Sequence, residues 1–115
     1  GSYVGNGSTD GPFVSLGFKP SALIVKRASP EYPAAGGGWP MWDNARSTYN
    51  VNNHVIEADA TNAGDGAEWT AAWTYIDFLS NGFKIRGNDT ETNADGSTYV
   101  FAAWADTPFK TANAR

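Results

Sequence analysis

The chain has no cysteine, no glutamine and a single histidine among its 115 residues. Without cysteine there is no disulfide framework, no Cys-ligated zinc, no iron–sulfur cluster and no thiol nucleophile. One histidine, His54, excludes an all-His zinc centre and any two-His metal motif. Charge is sparse as well. Eight Lys+Arg face twelve Asp+Glu, a net charge of −4, and charged residues make up only 17%. That balance argues against non-specific attachment to nucleic acid or to an anionic membrane. No apolar run approaches the roughly 18–20 residues that cross a bilayer, so no membrane insertion is expected, and no signal-peptide pattern is visible. Helical surfaces draw on Glu, Lys, Arg and Gln, and this composition supplies few of them.

What is present points to strands. Aromatic residues make up 14%, thirteen residues are Gly, and Asn, Thr and Ser are abundant. The expectation is an all-β, antiparallel β-sandwich or jelly-roll-like single domain over residues 1–115, with long loops. Such a length carries a core without staples. Short strands are expected at Tyr3-Val4 and around Phe13 to Leu16. Ser21 to Ala28 is apolar on both faces and reads as a central strand, and His54 to Glu57 as a weaker one. Trp39 to Asp43 reads as a strand interrupted by Pro40. The strongest local signal is the pair Thr74 to Leu79 and Phe83 to Arg86, which predicts a hairpin turning at Asn81-Gly82. Thr98 to Ala105 is the longest apolar strand, with Tyr99, Phe101 and Ala103 on one face and Val100, Ala102 and Trp104 on the other. It belongs either at the centre of a sandwich or partly in a subunit interface. The expected core comprises Leu23, Val25, Phe78, Phe83, Ile85, Tyr99 and Phe101. Three loops remain, roughly 29–40, 59–73 and 87–97, with one helical turn conceivable at Ala67 to Trp73. Binding on a rigid sandwich concentrates in loops.

Several segments, in this order, carry a resemblance: Tyr3-x-Gly5-Asn6-Gly7-Ser8; Gly17-Phe18-x-Pro20, leading to Ile24-Val25-Lys26-Arg27; Trp42-Asp43-x-x-Arg46; Phe78-x-x-x-Gly82-Phe83-Lys84-Ile85; Gly96-x-Thr98-Tyr99-Val100-x-x-Ala103-Trp104-Ala105; and Pro108-Phe109-Lys110. Together they resemble a small domain recurrent in tailed-phage and prophage proteins, often near the end of tail-fibre or other tail-appendage chains. The resemblance spans nearly the whole chain. It implies a C-terminal domain of a longer fibre chain, carried on the virion, extracellular when acting, and homotrimeric within the fibre. It supplies no catalytic or ligand set. The stretches 29–40 and 59–73 depart from the pattern, as receptor-contacting loops would.

The candidate binding residues follow from chemistry. Trp39, Trp42 and Trp69 lie in or beside the two long loops, and a flat aromatic is suited to the apolar face of a sugar ring. Asp43, Asn44 and Arg46 would take its hydroxyls. The alternative is that these tryptophans pack a core or an interface and that Asp43 and Arg46 build a turn. Asp89, Glu91, Asn93 and Asp95 alternate oxygen ligands like the start of a calcium loop, but lack the terminal bidentate Glu; a solvated acidic loop is the competing reading. Lys26, Arg27, Lys84 and Arg86 form either a basic stripe toward anionic glycans or edge-strand charges that deter aggregation. Glu57 and Asp59 are the nearest thing to a carboxylate pair, and His54 has no triad around it. No enzyme and no obligatory cofactor are expected. The preferred reading is a receptor-binding domain for a host-surface glycan or protein. The rivals are a capping or trimerisation module and a secreted carbohydrate-binding module.

Overall fold

A computed structural model describes residues 1–29, 38–58 and 75–107 and the backbone of 69–70. Among these, nine strands form two antiparallel sheets packed as a β-sandwich. They are β1 (Ser2–Val4), β2 (Phe13–Ser15), β3 (Pro20–Ser29), β4 (Pro40–Asp43), β5 (His54–Glu57), β6 (Trp69–Thr70), β7 (Ile76–Leu79), β8 (Gly82–Ile85) and β9 (Thr98–Ala105). The larger sheet has the order β1-β9-β3-β4-β5-β6 and the smaller β2-β8-β7. The helical turn conceivable near Ala67 to Trp73 is replaced at Trp69–Thr70 by β6, which pairs with His54 and Val55; the rest of that stretch lies outside the described residues.

Period-two alternation decides which side chains meet between the sheets. Leu23 and Val25 of β3, Trp42 of β4, Val55 of β5, and Tyr3 and Tyr99 point inward from the large sheet. Ile76, Phe78, Phe83 and Ile85 meet them from the small one. Six of the seven expected core residues are buried. Phe101 is half-buried, its ring meeting Phe83 edge-on at 5.1 Å and 81°. Tyr3 stacks on Tyr99 at 5.1 Å. Their hydroxyls leave the core to donate to the carbonyls of Thr92 and Thr90, each at 2.7 Å. Those carbonyls belong to a helical turn, α1 (Thr90–Asn93), inside the stretch read from sequence as plain loop.

The hairpin is real, but its turn is Ser80-Asn81, because Leu79 already pairs with Gly82. Gly82 does not adopt a positive φ. It is required for a different reason: a Cβ there would run into the backbone carbonyl of Val14 on the neighbouring β2.

The outward faces of the two sheets differ. On the small sheet Lys84 pairs with Asp10 at 2.7 Å, and Arg86 with Asp77 at 3.2 Å. The basic stripe is therefore divided. Lys84 neutralises local acids from β8, the middle strand of its sheet, and Arg86 does the same just beyond it; Lys26 and Arg27 lie on the other sheet. So neither a continuous stripe nor edge-strand protection describes these four. On the large sheet Val100, Ala102 and Trp104 all point outward and are exposed.

Candidate functional site

The residues expected to form one site divide into three groups. Trp42 is corrected to a core residue. It is 1% exposed, pairs with Leu23 across β3 and β4, and offers no ring face to a ligand. The Pro40 interruption hid this, because β4 begins at Pro40 and keeps its alternation through Trp42. The side chain of Trp69 lies outside the described residues, as does Asp59. Among the described residues, Trp39 is the one sequence-predicted aromatic with an exposed ring, 40% accessible.

Asp43, Asn44 and Arg46 build the turn after β4. The Asp43 Oδ1 accepts from the backbone amides of Ala45 (3.0 Å) and Arg46 (2.8 Å), and its Oδ2 pairs with the Arg46 guanidinium. Burial pushes the Asp43 carboxyl upward, but the Arg46 amide and guanidinium and the Ala45 amide outweigh it and hold the carboxyl below its usual range. Asn44 donates to Asp106 (3.0 Å), which also pairs with Lys19 (3.3 Å), fastening the turn to the end of β9. Asn52 donates to the Asp43 carbonyl at 2.7 Å. These groups are thus spent on holding the fold. Trp39 lies four residue steps before Asp43 along extended chain, about 13 Å, so the polar partners and the aromatic do not converge.

Trp39 occupies a corner of its own. The Lys26 ammonium sits 5.4 Å from its ring centroid and reaches the Gly38 carbonyl at 3.5 Å. The Trp39 carbonyl accepts from Ala58 at 3.1 Å. Trp39 therefore stands where segment 30–37 enters β4 and beside the residue that precedes segment 59–68.

Beneath this corner lies a contact that the sequence reading did not contain. Glu57 shares the inward face of β5 with Val55, and there it hydrogen-bonds Glu91 of α1. Gly38 packs on the same pair: a Cβ on it would stand 2.8–2.9 Å from the Glu57 carboxyl atoms, and its amide donates to Glu91. Burial, then Glu57, then Asp89 push the Glu91 carboxyl up to about 7 against the Gly38 amide, so the two carboxyls share a proton near neutrality. Arg27 reaches the Thr90 carbonyl alongside at 3.4 Å. The partner expected for Glu57 was Asp59. The usable signal was the period of β5, which aims Glu57 inward with Val55.

The alternating oxygens at 89–95 point in different directions. Asp89 caps α1, its Oδ1 accepting from the Glu91 amide at 2.7 Å. Asn93 is fully buried. Its Nδ2 donates to the Ser8 carbonyl (2.7 Å), the Gly87 carbonyl (2.9 Å) and Asn6 Oδ1 (3.2 Å), and its Oδ1 accepts from the Asn6 amide (2.9 Å). It is the peg on which the N-terminal loop hangs. Asp95 faces solvent. Among the described residues no three His, Asp or Glu side chains gather as a metal site.

A family model described as "Domain of unknown function (DUF7483)" matches residues 1–108. No curated protein and no solved structure matches the chain.

Proposed function

The chain belongs to the DUF7483 domain family, and from its own geometry we propose that it is a non-catalytic binding domain of a tailed-phage appendage that attaches to a host-surface glycan. The observation that carries this reading is Trp39. It is an exposed aromatic immediately before β4, flanked by a cation, at the root of two long segments whose composition suits surface contact. A flat ring open to solvent beside a cation is suited to stack on the apolar face of a sugar while polar groups take its hydroxyls. The motif order that resembles phage tail-appendage domains supplies the class of partner. The carboxylate pair supports the non-catalytic part. Glycoside hydrolysis needs its two carboxyls roughly 5–10 Å apart to admit the scissile bond, whereas Glu57 and Glu91 hydrogen-bond each other.

The test is a glycan array and host-cell binding with the parent chain and Trp39→Ala. A stacking ring contributes about 1–3 kcal/mol, by analogy with burying a large apolar side chain. Loss of Trp39 is therefore expected to weaken binding roughly 5- to 150-fold at an unchanged melting temperature. Binding by Trp39→Ala equal to the parent's overturns the assignment of this corner.

A further inference from the structure

Gly38 is where the Trp39 corner touches α1, and it does so through two acids at once. Its amide donates to the Glu91 carboxyl. It also lies so close on Glu57 that an added Cβ would stand 2.8–2.9 Å from the carboxyl carbon and both oxygens. Glu57 and Glu91 hydrogen-bond each other, which two carboxyls do only while one of them holds a proton. The two acids belong to different units. Pro40 pairs with Glu57 across β4 and β5, and the Trp39 carbonyl accepts from Ala58, so Gly38, Trp39 and Glu57 share one sheet end. Glu91 belongs to α1, which the Tyr3 and Tyr99 hydroxyls hold from β1 and β9. We infer that the Glu57–Glu91 pair is a proton-dependent clasp that fixes the Trp39 corner to α1 and releases it when the shared proton leaves. Release regulates a ligand site only if Trp39 is one, as proposed above; the clasp itself needs only the two acids and Gly38.

The surroundings set the direction of the switch. Among the described residues, Asp89 faces the pair from α1. Arg27 and Lys26 approach from β3, Arg27 reaching the Thr90 carbonyl and Lys26 the Gly38 carbonyl and the Trp39 ring. Burial pushes the Tyr3 and Tyr99 phenols upward, so neither ionises near neutrality. Burial, Glu57 and Asp89 push the Glu91 carboxyl up to about 7. Above that pH three carboxylates crowd one end of α1 and repel. Gly38 then cannot keep both its amide bond to Glu91 and its packing on Glu57. A site competent only when clasped has an apparent affinity proportional to the clasped fraction. One proton leaving near pH 7 leaves about nine-tenths clasped at pH 6 and about one-tenth at pH 8, so affinity at Trp39 falls about tenfold over that interval.

The experiment is an NMR titration of the whole 115-residue chain from about pH 5.5 to about pH 8.5, for the parent, Glu91→Gln and Glu57→Gln. In the parent the Gly38 amide and the Trp39 indole should shift together with one midpoint near 7. Both variants should lose that midpoint. His54 lies on the opposite face of β5 from Glu57 and is retained in both, so any change it causes survives in them. For a glycan that the parent binds on the array, affinity should be about tenfold weaker at pH 8 than at pH 6, and constant in Glu91→Gln. Parent signals that do not titrate near pH 7, or that titrate alike in Glu91→Gln, overturn the clasp. Signals that titrate as expected beside a glycan affinity constant with pH overturn its hold on binding. If no glycan binds at any pH the receptor reading fails, while the titration still decides the clasp.

Discussion

Replacing Glu91 by Gln tests whether a shared proton holds α1 against β5. In the folded chain the Glu91 carboxyl is raised from its ordinary 4.5 to about 7 by burial and by its neighbours Glu57 and Asp89. The folded state therefore holds this proton more tightly than the unfolded state. The stability tied to it is fully present below about pH 4.5, is lost as pH rises to about 7, and stays lost above that. The interval would correspond to roughly 3 kcal/mol for a fully desolvated group. Glu91 is about half open to water, and screening reduces this to about 1 kcal/mol. A neutral Gln keeps the hydrogen bond to Glu57 and has no proton to lose. Urea unfolding at pH 4.5 and pH 8 should show the parent losing about 1 kcal/mol more than Glu91→Gln across that range. At about 1–3 kcal/mol per molar urea, the difference is a midpoint shift of roughly 0.3–1 M. Effects from Asp10, Asp43 and Asp106, whose carboxyls are held low, are common to both proteins and cancel. Glu57→Gln should flatten the profile in the same way. Parallel pH profiles for parent and variants would refute the shared proton.

Trp42→Ala should cost about 3–5 kcal/mol of fold stability, read as a steep fall in melting temperature that Trp39→Ala does not show. Asn93→Ala removes four hydrogen bonds from a buried position, leaving the Gly87 carbonyl without this donor. A loss of about 3 kcal/mol is expected, accompanied by faster hydrogen exchange at the Asn6 and Gly7 amides, which bond to Asn93 in the folded chain.

The strands that could be read from sequence are those whose partners enforce a simple alternation. His54 to Glu57 and Thr98 to Ala105 appear at their expected bounds, and β3 is one residue longer at each end. The two-faced apolarity of 98–105 admitted a central strand or an interface; β9 is central between β1 and β3, and its second face is exposed. What the sequence hid depends on distant atoms. The α1 turn has poor helix formers in Thr90, Thr92 and Asn93. It is held by hydroxyls of Tyr3 and Tyr99 that no local window contains. Gly82 looked like a turn glycine because Asn-Gly is a hairpin signal, whereas its real constraint is the β2 backbone pressed against it. For the candidate site, the exposure of Trp39 was legible from its Gly-rich setting. The inward path of Trp42 was obscured by Pro40. The Glu57–Glu91 contact joins a strand and a helical turn that are remote in sequence.

The pairing of β1 with β9 has a consequence for the order of events when the chain is made. Tyr3 lies directly across from Tyr99, and β3 meets β9 along nearly its whole length. Among the described residues, β1 has no neighbour in its sheet until β9 exists, one flank of β3 is bare, and the inner layer lacks Tyr99. A nascent chain that has reached only Gly96 therefore cannot close either side of that seam. Assembly must wait for β9 and then bring together segments far apart in sequence, a topology that makes folding slow. Ribosome-stalled chains ending before Thr98 should stay protease-sensitive, and protection should appear only once Ala105 has left the exit tunnel.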